Sequence, residues 1–381
     1  MQLIPTAEVK EGMCLAREVR DDRGRILLAR GQRMTDSVMG RLNRFRVERV
    51  YIRDGYGEES PELLRAEMKL HCEEVLRDSF KSFHEEAKKK RYALDAHAMQ
   101  SLTESVIAAL MSNRDPLVML LDVSTASDRL LNHSVSATIL AILLGKALRV
   151  SPDMLNHLGT AMMFHDIGFM FIPEEISGKT GTLTPSEVKT LKSHVTLGAA
   201  HLVRASMVNK IAGNIVLHHH EMMDGTGYPD CVKGESMSQL CRIAAVAEVY
   251  DSLTSPRPYA APVMPDVAIS YLLKNAGTLF AREVVTSLCH IVALYPTGTA
   301  VQLNTGETGV VLTNRPQSPF RPALRLMTDY RGKTLTPTPV YDLARDGMRY
   351  IVRSALTLSE LATPNARTIK DQAIDSVHLL C

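Results

Sequence analysis

The sequence lacks the marks of a secreted or membrane-inserted protein. Its six cysteines are widely spread and form no Cys-x-x-Cys pair, which argues against a disulfide framework and against a zinc knuckle. The N-terminus has no basic stretch followed by an apolar core, and the longest apolar stretch, near Val135–Leu144, is too short to cross a bilayer. We therefore expect a cytoplasmic protein that does not insert into a membrane.

An excess of charge of either sign is also missing. The chain has 44 Lys and Arg residues against 42 Asp and Glu residues, so its formal net charge is only +2. This balance argues against a bulk binder of nucleic acid polymers, whereas a small anionic ligand needs only a local cluster of cations. The 45% hydrophobic residues are typical of a globular protein, and 381 residues favour at least two folding units.

The N-terminal part of the chain predicts a small β-rich domain at residues 1–57. Short apolar segments near Met13–Leu15, Ile26–Leu28 and Val47–Ile52 are separated by glycines, and a short helix from Asp36 to about Phe45 lies among them. Residues 58–95 predict a connecting helix with many charges. We interpret its charged face as solvated, with a dimer seam as the alternative.

Residues 96–292 predict one helix after another, separated by short polar or Pro/Gly turns. Ser151 and Thr184 each precede a proline at a plausible N-cap, and Glu187 completes a capping box with Thr184. Residues 293–353 alternate apolar and polar residues and predict a small β extension, and residues 354–381 form a tail. The predicted fold class is mainly α, a helical bundle flanked by small β-rich units.

The predicted helices carry residues that could bind metal ions. Each of the following groups lies on a separate predicted helix: His133, His165–Asp166, His194, His218–His220, and Glu248 with Asp251. Imidazole and carboxylate donors without thiolate suit Fe, Mn or Zn, and a bundle can direct such side chains at one point. Taken singly, each histidine is better explained as a structural residue. Their joint occurrence favours a metal site.

The order of these motifs resembles the HD-GYP family, a branch of the HD phosphohydrolases. The resemblance rests on NHSVSATILAILLGKAL, HDIGFMFIPEEI, LTPSEVKTLKSHVTLGAAHL, HHEMMDGTGYPD and RIAAVAEVYDSLTSPRPY, which together span about half of the chain. It implies an HD-type helical domain and a bacterial cyclic di-GMP phosphodiesterase. A metal-bridged hydroxide would then hydrolyse the messenger to pGpG and/or GMP.

The resemblance also implies a set of site residues. Two divalent metal ions would be held by His133, His165, Asp166, His194, His219, His220 and Glu248. Asp166 would bridge the two ions, and His165 and Asp166 would form the catalytic pair. Fe or Mn is expected, with Zn, Ni and Mg as alternatives. His218 is expected to be structural or to support the ligands, and Asp251 would be a rival ligand only if its helix rotated.

The loop that follows the tandem histidines is expected to contact the substrate. Its residues Gly225, Gly227, Tyr228 and Pro229 would let the backbone approach the ligand and would form a wall beside a planar base, although a simple tight turn explains the glycines equally well. The resemblance implies that Arg257 contacts a phosphate, a role that suits its five donors.

Three positions depart from the family pattern. Phe169 stands where the family has a phosphate-binding lysine, Ala260 stands where it has a second cation, and Glu248 stands where it has Asp. Arg129 replaces a glutamate that supports a third metal in some members, so a dinuclear site is expected.

These departures keep two other interpretations open. The protein could be a weak or inactive relative that binds cyclic di-GMP or a signalling partner, or an HD phosphohydrolase that acts on another nucleotide. The expected partners are cyclic di-GMP, a second copy of the chain in a homodimer, and signalling proteins.

Overall fold

The computed structural model describes residues 2–20, 25–45, 47, 49–53, 66–88, 96–112, 129–179, 181–255, 262–357 and 360. Across these residues the α-helices are α1 (Asp36–Arg44), α2 (Ala66–Lys88), α3 (Ala96–Ser112), α4 (Arg129–Ala147), α5 (Pro152–Phe164), α6 (Glu174–Ser177), α7 (Pro185–Lys192), α8 (His194–Arg204), α9 (Lys210–His218), α10 (Gln239–Thr254), α11 (Pro265–Lys274) and α12 (Arg282–Ile291). The strands are β1 (Gln2–Pro5), β2 (Val19–Arg20), β3 (Ile26–Leu28), β4 (Arg49–Ile52), β5 (Ala300–Leu303), β6 (Thr308–Thr313), β7 (Ala323–Leu326), β8 (Val340–Asp342) and β9 (Ile351–Arg353).

The chain is mainly α, with small antiparallel β-sheets at both ends, as the sequence predicts. Strand β1 pairs with β4 and β2 pairs with β3, whereas the five C-terminal strands form one sheet in the order β8-β7-β6-β5-β9. The apolar segment at Met13–Leu15 forms isolated β-bridges and no named strand. Cys14 bridges Arg33 and Leu15 bridges Ile52, so consecutive residues pair with different segments and no ladder develops.

The N-terminal caps of two bundle helices follow the prediction. The side chain of Ser151 accepts a hydrogen bond from the backbone N–H of Met154 at the start of α5. Thr184 and Glu187 form a reciprocal capping box at the start of α7. Helix α5 ends directly before His165 and α7 ends two residues before His194, so each capped helix leads into a predicted ligand.

Helix α2 has one buried face and one exposed face. Cys72, Leu76 and Phe80 recur at intervals of four residues and are almost completely buried in the core that they share with the bundle. The Phe80 ring lies 5.9 Å from the Phe164 ring of α5. The helix therefore packs on the bundle through this apolar face, and its opposite face is exposed to solvent.

Helix α4 is the central helix of the bundle and packs against α5, α10, α2 and α12. By length and composition, Leu130–Ala147 is the one candidate membrane span among the described residues, and 78% of it is buried in the protein. It is longer than the apolar stretch Val135–Leu144 because it also includes polar residues such as Asn132 and His133. The high apolar content has a structural explanation, since a helix surrounded by other helices is apolar on all faces.

The C-terminal sheet shares the hydrophobic core of the bundle. Val301, Leu303, Val311 and Leu324 belong to the same cluster of buried side chains as the helices. A partly buried hydrogen bond joins the two regions as well, because the Ser354 hydroxyl donates to Asp266 of α11 at 2.7 Å.

A close backbone contact joins the 3-10 helix Ile167–Phe171 to the start of α8. A Cβ atom on Gly168 would lie 1.9 Å from the carbonyl oxygen of His194 and 2.9 Å from the backbone nitrogen of Gly198. Only glycine fits there. The contact sets the spacing between Asp166, which precedes the 3-10 helix, and His194, which begins α8.

We expect Gly168→Ala to lower the thermal unfolding midpoint, because the added methyl group would overlap the backbone of α8. Overpacking of this kind costs about 1–3 kcal/mol or more. The matched control is Gly40→Ala on the exposed side of helix α1, where nothing lies within 4 Å of the added Cβ. Alanine is favoured over glycine in a helix by about 0.5–1 kcal/mol, so this control should keep or raise the midpoint. Equal midpoints for both variants, measured by circular dichroism, would contradict the packing argument.

Candidate metal centre

Five segments of the bundle carry the seven predicted metal ligands. His133 lies on α4 and Glu248 on α10, whereas the other five residues lie where a helix begins or ends: His165, Asp166, His194, His219 and His220. All seven side chains are buried, and those of His165 and His219 have no exposed surface. The fold therefore gathers all of them in its interior.

The seven side chains form two adjacent groups, each able to hold an ion. One group contains Asp166, His194, His219 and His220, and the other contains His133, His165 and Glu248. Within each group the candidate ligand atoms lie within 4.8 Å of one another. These buried His, Asp and Glu groups are consistent with the binding of divalent metal ions.

Asp166 lies between the two groups. Its Oδ1 atom is 3.3 Å from Nε2 of His194 and 3.7 Å from Nε2 of His219. Its Oδ2 atom is 3.5 Å from Nε2 of His133 and 3.7 Å from Nε2 of His165. One carboxylate thus directs one oxygen at each group, which is the placement that a bridging ligand requires.

Three imidazole rings are anchored by backbone carbonyls at helix ends. Nδ1 of His165 lies 2.6 Å from the Met162 carbonyl oxygen, and the corresponding distances from His194 to Leu191 and from His219 to Val216 are both 2.8 Å. These carbonyls lie in the last turns of α5, α7 and α9, where the helix itself leaves carbonyls without partners. A carbonyl oxygen can only accept, so each Nδ1 carries a hydrogen, and in the neutral ring Nε2 presents a lone pair.

The lone pairs converge. The Nε2 atoms of His133 and His165 are 3.2 Å apart, and those of His194 and His219 are 3.4 Å apart. Facing lone pairs repel one another unless a positive centre lies between them. The ring orientation is therefore the one that suits a bound cation.

His133 is oriented by a carboxylate instead of a carbonyl. Its Nδ1 donates to Oδ2 of Asp251 at 2.6 Å, while its Nε2 lies 2.6 Å from Oε2 of Glu248. Asp251 therefore holds the ring from the side opposite to the other ligands and belongs to neither group. Sequence reasoning treated Asp251 only as a rival ligand, because the side of the ring that it contacts depends on how α4 and α10 pack.

Glu248 fits the site despite its extra methylene. Its Oε2 atom lies 3.1 Å from Nε2 of His165, and its Oε1 atom accepts a hydrogen bond from the Ser252 hydroxyl at 2.6 Å. One oxygen faces the candidate ligands and the other is anchored one turn further along the same helix. The Glu248 carboxylate therefore lies beside two of the other predicted ligands, His133 and His165.

The protonation states suit a cation. Burial favours a high pKa for the Asp166 and Glu248 carboxyls, but the neighbouring histidines outweigh it and hold both pKa values well below the usual range. Burial lowers the pKa of His219 to about 4 and that of His220 well below its usual value. Burial also favours a low pKa for His165, yet the charges of Asp166 and Glu248 raise it overall.

Two buried polar atoms further support the fit. Among the described residues, Oδ1 of Asp166 and Nδ1 of His220 have no hydrogen-bond partner. Leaving such an atom unsatisfied costs about 1–3 kcal/mol. Both residues belong to the same group, and a shared cation would satisfy them together.

The glycine-rich loop packs directly on this group. A Cβ atom on Gly227 would lie 2.4 Å from the backbone nitrogen of Met222 and 2.5 Å from the His220 carbonyl oxygen, and Gly225 has φ +79°. Tyr228 is buried, and its ring stacks on His220 with centroids 4.8 Å apart. The glycines are thus needed for the backbone path, and the tyrosine lies against a candidate ligand.

Glu221 closes this loop, a role that sequence reasoning did not assign. Its two carboxylate oxygens accept hydrogen bonds from the backbone nitrogens of Asp230 and Val232 at 2.7 and 3.0 Å. The side chain is fully buried. The position of Glu221 directly after the tandem histidines indicates a role near the candidate ligands. It does not identify the partners, which lie nine and eleven residues further along the chain.

His218 and Phe169 lie beside the groups and belong to neither. His218 contacts Asn214 and Asp230, with its Nε2 atom 2.9 Å from Oδ2 of Asp230. Phe169 stacks on His194, with ring centroids 4.2 Å apart and an interplanar angle of 12°. The predicted phosphate contact Arg257, like Ala260, lies outside the described residues.

Two family models match the chain. Residues 118–284 match a model described as an HD domain, and residues 300–363 match one described as a KOW domain associated with HD domain. The first match contains all seven candidate ligands, and the second contains strands β5 to β9.

The chain is also similar to curated phosphodiesterases. It is 33% identical over 255 residues to a cyclic di-GMP phosphodiesterase of Pseudomonas aeruginosa, which covers 67% of this chain and 61% of that protein. It is 35% identical over 147 residues to a cyclic di-GMP phosphodiesterase response regulator of Xanthomonas campestris pv. campestris, covering 38% of this chain and 39% of that protein. It is 30% identical over 164 residues to a 3'3'-cGAMP-specific phosphodiesterase of Vibrio cholerae, covering 43% and 35%. The chain thus spans less than two thirds of each relative.

The run of three histidines provides a test of the ligand set. We expect His219→Ala and His220→Ala to reduce the metal bound per chain, because both rings belong to the Asp166 group, whereas His218→Ala should leave it unchanged. Metal content can be measured by mass spectrometry after dialysis of the loaded protein. Loss of metal from the His218 variant to the same extent would contradict the assignment.

Asp251 provides a second test. We expect Asp251→Asn to weaken metal binding by about 10–100-fold, the usual effect of removing the partner that orients a ligand. Asp230→Asn is the matched control, since Asp230 contacts His218 outside the groups. Affinity can be measured by competition with a chelating dye. Equal affinities for the two variants would show that Asp251 does not orient His133.

Proposed function

This chain belongs to the HD-GYP branch of the HD domain family, and on that premise we propose that it is a metal-dependent phosphodiesterase that hydrolyses cyclic di-GMP to pGpG and/or GMP. The observation that carries the proposal is the position of Asp166, with one carboxylate oxygen facing each of two groups of buried ligands. The names of the relatives from Pseudomonas aeruginosa and Xanthomonas campestris support the choice of substrate.

The two groups would hold two divalent metal ions, with Asp166 shared between them. When bound, such a pair of ions activates water as a nucleophile and neutralises charge on the phosphoryl oxygens. We propose Fe or Mn, because five imidazoles with two carboxylates suit these ions; Zn and Ni are alternatives, and Mg is less suited because it prefers oxygen ligands.

The residues of the chain prepare the site before any substrate arrives. The anchored Nδ1 atoms of His165, His194 and His219 fix the direction of each Nε2 lone pair, so little reorganisation is needed. His165 and Asp166 are the proposed catalytic pair, which the resemblance to HD-GYP proteins implies and which the position of Asp166 between the two groups supports. Burial excludes bulk water from the ligands.

The loop beside His220 is the proposed substrate contact. Gly225 and Gly227 let the backbone approach the ligand, and Tyr228 and Pro229 form the wall beside it. Arg257 is the proposed phosphate contact, through its planar fork of donors. Cyclic di-GMP is the proposed small-molecule partner of a cytoplasmic protein, and a homodimer and a signalling protein are the candidate macromolecular partners. We propose neither a nucleic acid polymer as a partner nor insertion into a membrane.

Phe169 favours a second candidate function, binding without turnover. An apolar ring stacked on His194 occupies the position where the family has a phosphate-binding lysine. Loss of one charge-assisted hydrogen bond to a phosphate costs about 1.5–3 kcal/mol, and turnover suffers more than binding where this stabilisation is lost in the transition state. A protein of this kind would bind the cyclic dinucleotide and pass the signal to a partner. The relative named as specific for 3'3'-cGAMP makes that dinucleotide the alternative substrate.

We expect the anaerobically metal-loaded protein to convert cyclic di-GMP to pGpG or GMP. The products can be detected by liquid chromatography. Asp166→Asn and His165→Ala should lower the rate of hydrolysis at least about a hundred-fold, because each removes part of the stabilisation of the transition state by the metal ions. His218→Ala should keep the rate of the unaltered protein. A parallel binding titration separates the candidates. Saturable binding without product would replace the first function by the second, and turnover of 3'3'-cGAMP alone would change the substrate.

A further inference from the structure

A lysine lies at the edge of the candidate metal centre, at a position that sequence reasoning did not single out. Lys192 is the last residue of α7, two residues before His194. Its Nζ atom lies 4.4 Å from the centroid of the Tyr228 ring, within the range of a cation–π contact. The same ring stacks on His220. The Tyr228 ring therefore contacts both this ammonium group and a candidate ligand.

The surroundings of Lys192 give it a defined position. The capping box fixes the start of α7, and the Leu191 carbonyl anchors the His194 ring directly beside Lys192 in the chain. The side chain is half-buried. The ammonium group is a compact charge on a flexible four-carbon stem, so its direction can adapt to an anion beside the Tyr228 ring.

The charge of Lys192 matters because of what stands at Phe169. Position 169 carries no cation here, and its ring covers one face of His194, while Tyr228 lies in an edge-on arrangement to the same imidazole, with centroids 6.4 Å apart. Phe169 and Tyr228 are thus two aromatic walls beside His194. The ammonium group of Lys192 places a positive charge next to the Tyr228 ring.

We propose that Lys192 is the phosphate-binding residue of this site, and that it supplies from α7 the positive charge that Phe169 does not supply. It binds a non-bridging oxygen of the substrate phosphate while Tyr228 supports its stem. This inference rests on the proposed function for the identity of the substrate, but the phosphate contact itself can be tested with inorganic phosphate.

The first experiment measures binding of inorganic phosphate to the metal-loaded protein by calorimetry. We expect Lys192→Met to weaken binding by about 10–100-fold, the value of one charge-assisted hydrogen bond, and to reduce its salt dependence. Lys192→Arg should restore most of the affinity. Lys189→Met, on the same helix and with the same change of net charge, should bind phosphate as the unaltered protein does.

A structural role of Lys192 would give a different pattern. If the lysine only stabilised the loop through Tyr228, Lys192→Met would lower the thermal midpoint or the metal content. We expect both to stay unchanged. Unaltered phosphate affinity in Lys192→Met, the same loss in Lys189→Met, or absence of phosphate binding by the unaltered protein would each overturn the inference.

The second experiment uses cyclic di-GMP and separates the two proposals. Lys192→Met should raise KM or Kd more than it lowers kcat, and Phe169→Lys introduced into that variant should recover part of the affinity. Weakened phosphate binding in Lys192→Met, together with no binding or turnover of cyclic di-GMP by the unaltered protein, would reject the proposed substrate and keep the role of Lys192. Turnover that does not depend on Lys192 would reject the role and keep the function.

Discussion

The buried negative charge of Asp166 is the constraint on which the arrangement of the bundle depends. A carboxylate in the interior is costly unless cations or hydrogen-bond donors surround it. Here imidazoles from α4, α8 and the ends of α5 and α9 surround it, and they hold its pKa well below the usual range. The same rings would be a poor core by themselves, since their lone pairs face one another. Carboxylate and imidazoles are therefore compatible with the fold only as a set, and a cation completes that set.

Helix ends supply the precision of the site. The last turn of a helix leaves carbonyl groups without an intrahelical partner, and His165, His194 and His219 each use one of them to fix the ring. Two constraints on backbone spacing act together with this anchoring. Gly168 allows the 3-10 helix to touch α8, and Gly227 allows the loop to fold back onto His220. The ligands thus depend on main-chain geometry more than on the packing of their own side chains.

Local features of the fold were predictable from the sequence, and features that depend on tertiary contacts were not. The caps at Ser151 and Thr184 and the helix beginning at Asp36 follow from signals within a few residues, and the structure confirms them. The ligand set came from the resemblance, and the structure brings its members together, although the binding of metal stays a prediction. The roles of Asp251 and Glu221 could not be predicted. Asp251 contacts His133 across 118 residues of sequence. The segment at Met13–Leu15 forms only single bridges, because Cys14 and Leu15 pair with different segments.

The shared core of the helices and the C-terminal sheet has a consequence for how the chain folds. Side chains of β5, β6 and β7 complete the hydrophobic cluster of the bundle, and Asp266 on α11 receives a hydrogen bond from Ser354, just beyond β9. Neither part can open without exposing apolar surface of the other, so the two should gain and lose their structure in one cooperative transition. A sheet attached in this way cannot be transferred to an unrelated helical domain, because its buried side chains must fit those of the helices. It must change together with the residues beneath it.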